Sequence, residues 1–439
     1  MSLNINKADV VIVGAGASGL MCAAVAGQRG RKVLVLDHAK RAGTKILMSG
    51  GSKCNFTNYE ISARNYFSNN PHFCKSALKQ FSQWDFIEII NRYNIPFEER
   101  EHGQLFCINS AVDILDMLLA ECKKGFVEFQ MNCAINDIAL CCNNTQFFES
   151  MTSEHGNQNE KSHCKGVDNA ISHCKGVDNA IDSIHSGFNI STDKGIFYAK
   201  SLVISTGGLS IPSSGATPFG LKTAEKFGIS IVPPRAGLVP LTLQPGDKKI
   251  FSDLSGIALE ASVICTKHTF RENILFTHRG LSGPAILQIS SCWNPGDEIM
   301  IDLLPDLNLF ELLVEQKKRN PNKKLKTVLS KILPKRLISA LLPVSLEEKS
   351  LQEISLKTCG DVSNMLQKWR LKPGGTEGYR TAEVTLGGVD CNEISSKTME
   401  SNKIKGLFFT GEVLDIAGWL GGYNLQWAWS SGWCAGQTV

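Results

Sequence analysis

The sequence predicts an α/β protein whose dinucleotide-binding, Rossmann-like domain is built from both ends of the chain and interrupted by an insert that is first β-rich, then helical. Three stretches predict this: VVIVGAGASGLMCAAVAGQRGRKVLVLD at 10–37, SLVISTGG at 201–208, and GLFFTGEVLDIAGWLGGYNLQWAWSSGWCAG at 406–436. In the first, β-branched residues lead into Gly14, Gly16 and Gly19. A small-residue run from Ala17 to Gln28 reads as a helix, and Lys32 to Leu36 as a second strand ending in Asp37. Gly14 permits the tight turn, Gly16 lets the backbone approach a pyrophosphate beside Ala15 and Ser18, and Gly19 lets helix and strand pack closely. Asp37 can accept a hydrogen bond from a ribose 2′-OH, which selects FAD or NAD.

At 439 residues the chain exceeds what one core usually serves. The expected division is 1–233 for the first part of the dinucleotide domain, 234–372 for the insert (β-rich 234–303, helical 304–372), and 373–439 for the C-terminal part. A hydrophobic content of 43% and a charged content of 20% are those of a globular protein, and a net charge of +4 is too small for a surface built wholly for nucleic acid. No stretch is apolar enough to span a bilayer, and the opening apolar run is preceded by Asp9 and broken by glycines, unlike a signal peptide. A cytoplasmic protein with its 15 cysteines reduced is therefore expected. None of them forms a Cys-x-x-Cys pair, which argues against a redox disulfide and a zinc ribbon.

The polar loop 41–60 follows Asp37 directly, which makes Lys45, Ser49, Gly50, Gly51 and Asn55 ligand candidates. Residues 75–94 read as one amphipathic helix, Ala111 to Lys123 as another, and Phe126 to Ile138 as a strand. His102, next to Gly103, reads first as a turn residue and only second as a catalytic candidate. The segment 150–187 is polar and contains SHCKGVDNAI twice, at 162–171 and 172–181, so a disordered duplicated loop is expected there. Its pairs His163–Cys164 and His173–Cys174 are not expected to hold a metal, because nothing nearby would fix the geometry. The strand 201–208 should lie beside the first one and present Thr206, Gly207 and Gly208 at its carboxyl end, where open sheets bind ligands. An acid-free basic run, 317–336, reads as a solvated helix face rather than an RNA site, since no aromatic platform is interleaved with it. Near the C-terminus, Glu412 or Asp415 would hold ribityl hydroxyls beside Gly411. Gly421, Gly422, Tyr423 and Asn424 open a helix whose positive end suits the pyrimidine edge of a flavin.

Taken together, VIVGAGASGL, GTKILMSGGSKCNFTN, STGG, FTHRGLSGPAILQ, VTLGGV and FFTGEVLDIAGWLGGYNLQWA resemble the bacterial flavoproteins called HI0933-like, BaiN-like or aminoacetone-oxidase-like. The resemblance implies a two-dinucleotide-binding (Rossmann-like) FAD domain with an inserted β-barrel plus helical-bundle domain, and an FAD-dependent oxidoreductase. Its leading functional implication is a NAD(P)H-linked reductase of a conjugated C=C bond in a small or steroid-like molecule. An FAD-dependent amine oxidase using O2 is the alternative within the enzyme class, and a flavin-binding, RNA-associated protein of the tRNA-modifying type is the alternative outside it. On the leading reading the partner is a small molecule, nucleic acid is not expected, and NAD(P)H docks transiently, because a second Gly-x-Gly-x-x-Gly is missing. His278, the only imidazole in the loops 277–284 and 419–424, is the catalytic candidate as a proton donor, against a capping or packing role. The chain departs from the family pattern at Ser52 and Lys53, where glycine and arginine are commoner, and Gln104-Leu105-Phe106 lacks a family arginine.

Overall fold

Two hydrophobic cores organise the computed structural model, which describes residues 6–142 and 185–439. The duplicated decapeptide and its two His-Cys pairs lie outside the described residues. Asn6–Val13 forms the middle of the first sheet, parallel to Val33–Leu36 on one side and Gly195–Ile204 on the other. The register sets Val13 beside both Leu36 and Ile204, so three strands end level at their carboxyl termini. Their apolar residues are buried on both faces, as a parallel sheet covered by helices requires. The other edge of Gly195–Ile204 is shared between two neighbours. Its first half pairs antiparallel with His185–Thr192, and its second half parallel with Leu407–Phe409, which brings the late part of the chain into the sheet. Glu128–Gln130 extends the sheet beyond Val33–Leu36, and Ile135–Cys142 pairs with His185–Thr192.

The helix Ala17–Gln28 packs against the C-terminal helix Tyr423–Thr438 through small residues. A Cβ on Gly432 would lie 2.3 Å from the Ser18 carbonyl oxygen, and one on Gly436 2.9 Å from that of Cys22. Backbone therefore meets backbone along this seam.

Two expected elements are divided. The 75–94 helix is two, Cys74–Gln80 and Gln83–Arg92, because Phe81 turns extended and Ser82 with Asp85 forms a capping box that starts a new helix. The 126–138 strand breaks at Asn132, which takes a left-handed φ of 51°, so Glu128–Gln130 and Ile135–Cys142 are separate. The 150–187 segment also ends within a strand, since His185 begins one.

Cys142 and His185 are register partners, so the two strands reach the same level. Replacing 143–184 by an Asn-Gly turn should close a hairpin and leave the melting temperature within about 4 °C. A larger fall would show that the segment supports the fold.

The second core is an antiparallel sheet in the order Trp369–Leu371, Ile299–Asp302, Ala258–Cys265, His268–Phe276, Gly280–Ser282, Leu241–Thr242, Gly375–Thr376. Its two edge strands are joined through residues 372–374, which curls the sheet into a barrel. Those strands of two and three residues are too short for alternation to announce, so β structure is not confined to 234–303. The helices Leu309–Arg319, Leu325–Leu329, Lys335–Leu341, Val344–Glu347 and Leu356–Gln367 pack beside it. Within the basic run, Lys317 donates to the carbonyls of Leu351, Gln352 and Ile354, Arg319 pairs with Glu315, Lys324 with Glu348 and Lys326 with Glu347. Lys318, Lys323, Lys331 and Lys335 are exposed. Ile231–Gly237 leads out to this unit and Val384–Val389 leads back, paired antiparallel.

A cavity at the carboxyl ends of the central strands

A cavity of about 1020 Å³ lies beyond the carboxyl ends of the central strands, with walls from both units. Strand ends of this kind are where open α/β sheets take their ligands. Gly14, Ala15, Gly16, Ser18 and Asp37 line it from the first βαβ unit, and Lys45, Ser49, Gly50, Gly51 and Asn55 from the loop that follows. Thr206, Gly207 and Gly208 complete the floor, and Glu412, Gly421, Gly422 and Asn424 come from the end of the chain.

Asp37 is fixed at its strand tip by two backbone donors, Ala15 N–H at 2.7 Å and Ala39 N–H at 2.8 Å, one to each carboxylate oxygen. Gly14 adopts a φ of +110°, and a Cβ there would meet the Ser205 carbonyl oxygen at 2.4 Å. Gly16 differs. Its φ of −86° and ψ of −168° suit any residue, and a Cβ would find nothing within 4 Å, so this backbone faces the open cavity. The helices Ala17–Gln28 and Tyr423–Thr438 both begin at this cavity and neither has a side-chain cap, so two positive helix ends face it.

The loop after Asp37 holds a run of left-handed backbone: Gly50 at φ 55°, Gly51 at 64°, Ser52 at 68° and Cys54 at 50°. The conformation at Ser52 explains why glycine is commoner there. Lys53 is turned away from the cavity and donates to the carbonyls of Ile108 at 2.5 Å and Asn109 at 2.8 Å, so it anchors the loop. Cys54 is fully buried, and burial pushes its thiol up to about 12, which makes it a packed rather than a reactive group. Lys45 reaches across to Glu412 at 2.8 Å and to the Ser210 hydroxyl at 2.8 Å. Burial alone would raise the Glu412 carboxyl. The Lys45 charge, with hydrogen bonds from Lys45, the Thr385 N–H and the Ser210 hydroxyl, outweighs it and holds the carboxyl below its ordinary value. Thr206 Oγ1 and Trp419 Nε1 are buried polar atoms of lining residues whose hydrogen-bonding capacity the protein itself does not use, which suits a polar ligand.

Five predicted residues lie outside the wall. Gly19 and Gly411 are packing positions, against the Gly14 carbonyl and the Ser18 side chain respectively. Tyr423 is buried edge-on to Tyr66, with ring centres 6.3 Å apart. His278 is exposed in the turn closed by Thr277 and Gly280 and does not reach the cavity. Asp415 is buried and accepts from Asn69 N–H at 2.8 Å. Burial, aided by the charge of Asp390, pushes its carboxyl up to about 6 against the pull of hydrogen bonds from Asn69, Ser68 and Gly387. Because the folded value is raised, the favourable contribution is complete below about pH 4 and is lost as pH rises through 6. Replacing Asp415 by Asn should abolish this dependence: the stability difference between variant and parent should move by roughly 2 kcal/mol towards the variant from pH 4 to pH 7. Parallel pH profiles of the two proteins in urea titrations would refute it.

Other lining residues had no local signal in the sequence. Arg100 stacks 4.1 Å over the Phe106 ring, and Gln104 packs on Gly421, where the family arginine is missing. Glu272 arrives from the insert, far along the chain. Arg100 and Phe106 share one hairpin, whereas the approach of Gln104 to Gly421 and of Glu272 to the FAD domain joins segments far apart in the chain, which sequence patterns of short range do not report.

Two domain models match the chain: the HI0933-like protein Rossmann domain over residues 8–167, and the HI0933-like protein barrel and H2TH domain over 235–384. The chain is 46% identical to the ribosomal RNA dihydrouridine synthase of Escherichia coli (strain K12), over 98% of each protein. It is 42% identical, again over 98% of each, to the ribosomal RNA dihydrouridine synthase of Haemophilus influenzae. It is 26% identical over 98% of each to the 3-dehydro-bile acid delta(4,6)-reductase of Clostridium scindens. Among the described residues, no helix is long and apolar enough to cross a membrane.

Proposed function

Because this chain belongs to the HI0933-like family and is an FAD-dependent oxidoreductase, we propose that it reduces uridine to dihydrouridine in ribosomal RNA. The observation that carries this is identity of 46% and 42%, along nearly the whole chain, to two proteins named for that reaction. It overturns the small or steroid-like substrate expected from the sequence, for the relative named as a bile acid reductase is only 26% identical. It equally overturns the expectation that nucleic acid is not a partner, and favours the RNA-associated alternative. The physical reason is that net charge averages the whole surface and says little about one face. Arg41 and Arg100 line the cavity, and five lysines of the basic run, Lys318, Lys323, Lys324, Lys331 and Lys335, are exposed.

The residues present fit FAD. Gly14 to Ser18 would take the pyrophosphate at the first helix end. Asp37 retains lone pairs for a ribose hydroxyl although each oxygen already accepts one bond. Thr206 and Glu412 offer hydroxyl and carboxylate partners to the polar chain of the cofactor, and the helix end at Gly422 to Asn424 would favour negative charge on the flavin pyrimidine. When bound and reduced, FAD supplies the hydride for C6 of uracil. The protein supplies orientation and must deliver a proton to C5. NAD(P)H serves as the transient electron donor on this reading, and an rRNA substrate agrees with the cytoplasmic location expected from the sequence.

The test is anaerobic incubation of the purified holoenzyme with NADPH or NADH and rRNA from a strain lacking the enzyme, followed by mass spectrometry of nucleosides. Dihydrouridine at a defined position is expected. A flavin that is reduced while no dihydrouridine forms would refute the proposal.

A further inference from the structure

Glu272 belongs to the insert strand His268–Phe276, yet it lines the same cavity as Trp419, Leu420, Gly421 and Gly422 of the FAD domain. Its side chain is 17% exposed, and its Oε1 stands 3.5 Å from Nε2 of His102 across the cleft. The turn that carries His102 is held firmly. His102 takes a left-handed φ of 59°, its carbonyl accepts from the Asn58 amide at 2.9 Å, and the same amide donates to the Gly421 carbonyl at 3.0 Å. Asn58 is buried, so it ties the backbone of the His102 turn to the loop that opens the C-terminal helix.

We propose that Glu272 is the proton donor to C5 of the uracil ring and that His102 is its positioning residue, an inference that rests on the uridine-reducing reading above. Saturating the C5=C6 bond takes a hydride at C6 and a proton at C5. The hydride carries its electron pair from the reduced cofactor, which is oxidised, and the proton leaves the Glu272 carboxyl. The carboxylate regains its proton from water by way of His102, whose side chain is 58% exposed. Other charged groups act on the same carboxyl or line the same cavity: Glu101 from the His102 turn and Glu260 from the neighbouring strand Ala258–Cys265 act on it, and Arg100 and Glu383 lie in the cavity wall. Arg100 is paired with Glu98. Burial pushes the Glu272 carboxyl above its ordinary value, Glu101 and Glu260 push the same way, and the His102 charge opposes them. A carboxyl raised in this manner holds its proton to higher pH than an ordinary glutamate does, the direction that favours a general acid.

The experiment follows single-turnover formation of dihydrouridine by pre-reduced holoenzyme on rRNA across pH, with flavin content and flavin reduction measured alongside. In the parent the rate should fall as pH rises through the Glu272 titration. Glu272→Gln should keep flavin and its reduction, lose about a hundredfold in turnover and lose the pH-dependent limb. Glu272→Asp, which keeps a proton but retracts it, should retain the limb at an intermediate rate. His102→Asn should move the limb to higher pH, because an opposing charge is gone, and carbon-13 titration of Glu272 in labelled holoenzyme should show the same displacement without any turnover. Full activity of Glu272→Gln, equal impairment of the Asp and Gln variants, or an unmoved titration in His102→Asn would each overturn the proposal. A parent enzyme that forms no dihydrouridine overturns the uridine reading, and the proposal with it.

Discussion

Gly16→Leu should fold normally and purify with less than about a tenth of the parent's flavin. Two observations separate binding from folding at this position. The backbone dihedrals of Gly16 are open to leucine, and a Cβ there has no protein atom within 4 Å. The new side chain would instead project into the cavity at the first helix end, where the pyrophosphate needs close approach to the backbone. The melting temperature without flavin should therefore stay within about 4 °C of the apo parent while flavin absorbance disappears. Full flavin occupancy in Gly16→Leu would remove the pyrophosphate from this turn.

Gly432→Val is expected to have the largest effect on stability. A Cβ at this position would stand 2.3 Å from the carbonyl oxygen of Ser18, and because that oxygen is backbone it cannot rotate away. One of the two helices must move. The cost should be on the order of 3 kcal/mol, at the upper end for overpacking, and the melting temperature should fall by roughly 6–12 °C. Gly432→Ala separates the causes, because alanine gains about 1 kcal/mol in helix propensity while placing the same Cβ against the same oxygen. A net loss is still expected. An alanine variant that melts higher than the parent would show that the seam can open at no cost.

The parts of the site that could be read from the sequence are those in which spacing carries the chemistry. The βαβ unit from Val10 to Asp37, the strand ending at Thr206, and the glycines before Asn424 each announce themselves within a few residues, and the structure brings them to one cavity. Lys45 and Glu412 were each candidates, but their pairing depends on how distant segments fold together and has no local signature. The division at Ser82 was legible in principle, since serine followed three residues later by an acid is a capping box, but the apolar positions on either side outweighed it. The last two barrel strands are too short to show a period. Glu272 illustrates the limit for function. Cofactor recognition is local and repeats across proteins, whereas the substrate end of the cavity is assembled across the cleft from two units, so the sequence motifs indicated a flavin more clearly than they indicated a substrate.

The seam between Ser18 and Gly432 also bears on how the molecule is made. Translation delivers the first βαβ unit well before its packing partner, with the whole barrel and helical insert between them. The insert has its own core and can condense while synthesis continues. The first helix must meanwhile wait with its small-residue face uncovered, and the Leu407–Phe409 strand is absent from the growing sheet. Closing contacts of such long sequence separation is slow and comes late. A nascent or truncated chain thus has no complete pocket in which to hold a redox-active group until the Leu407–Phe409 strand and the Tyr423–Thr438 helix have been made and have docked.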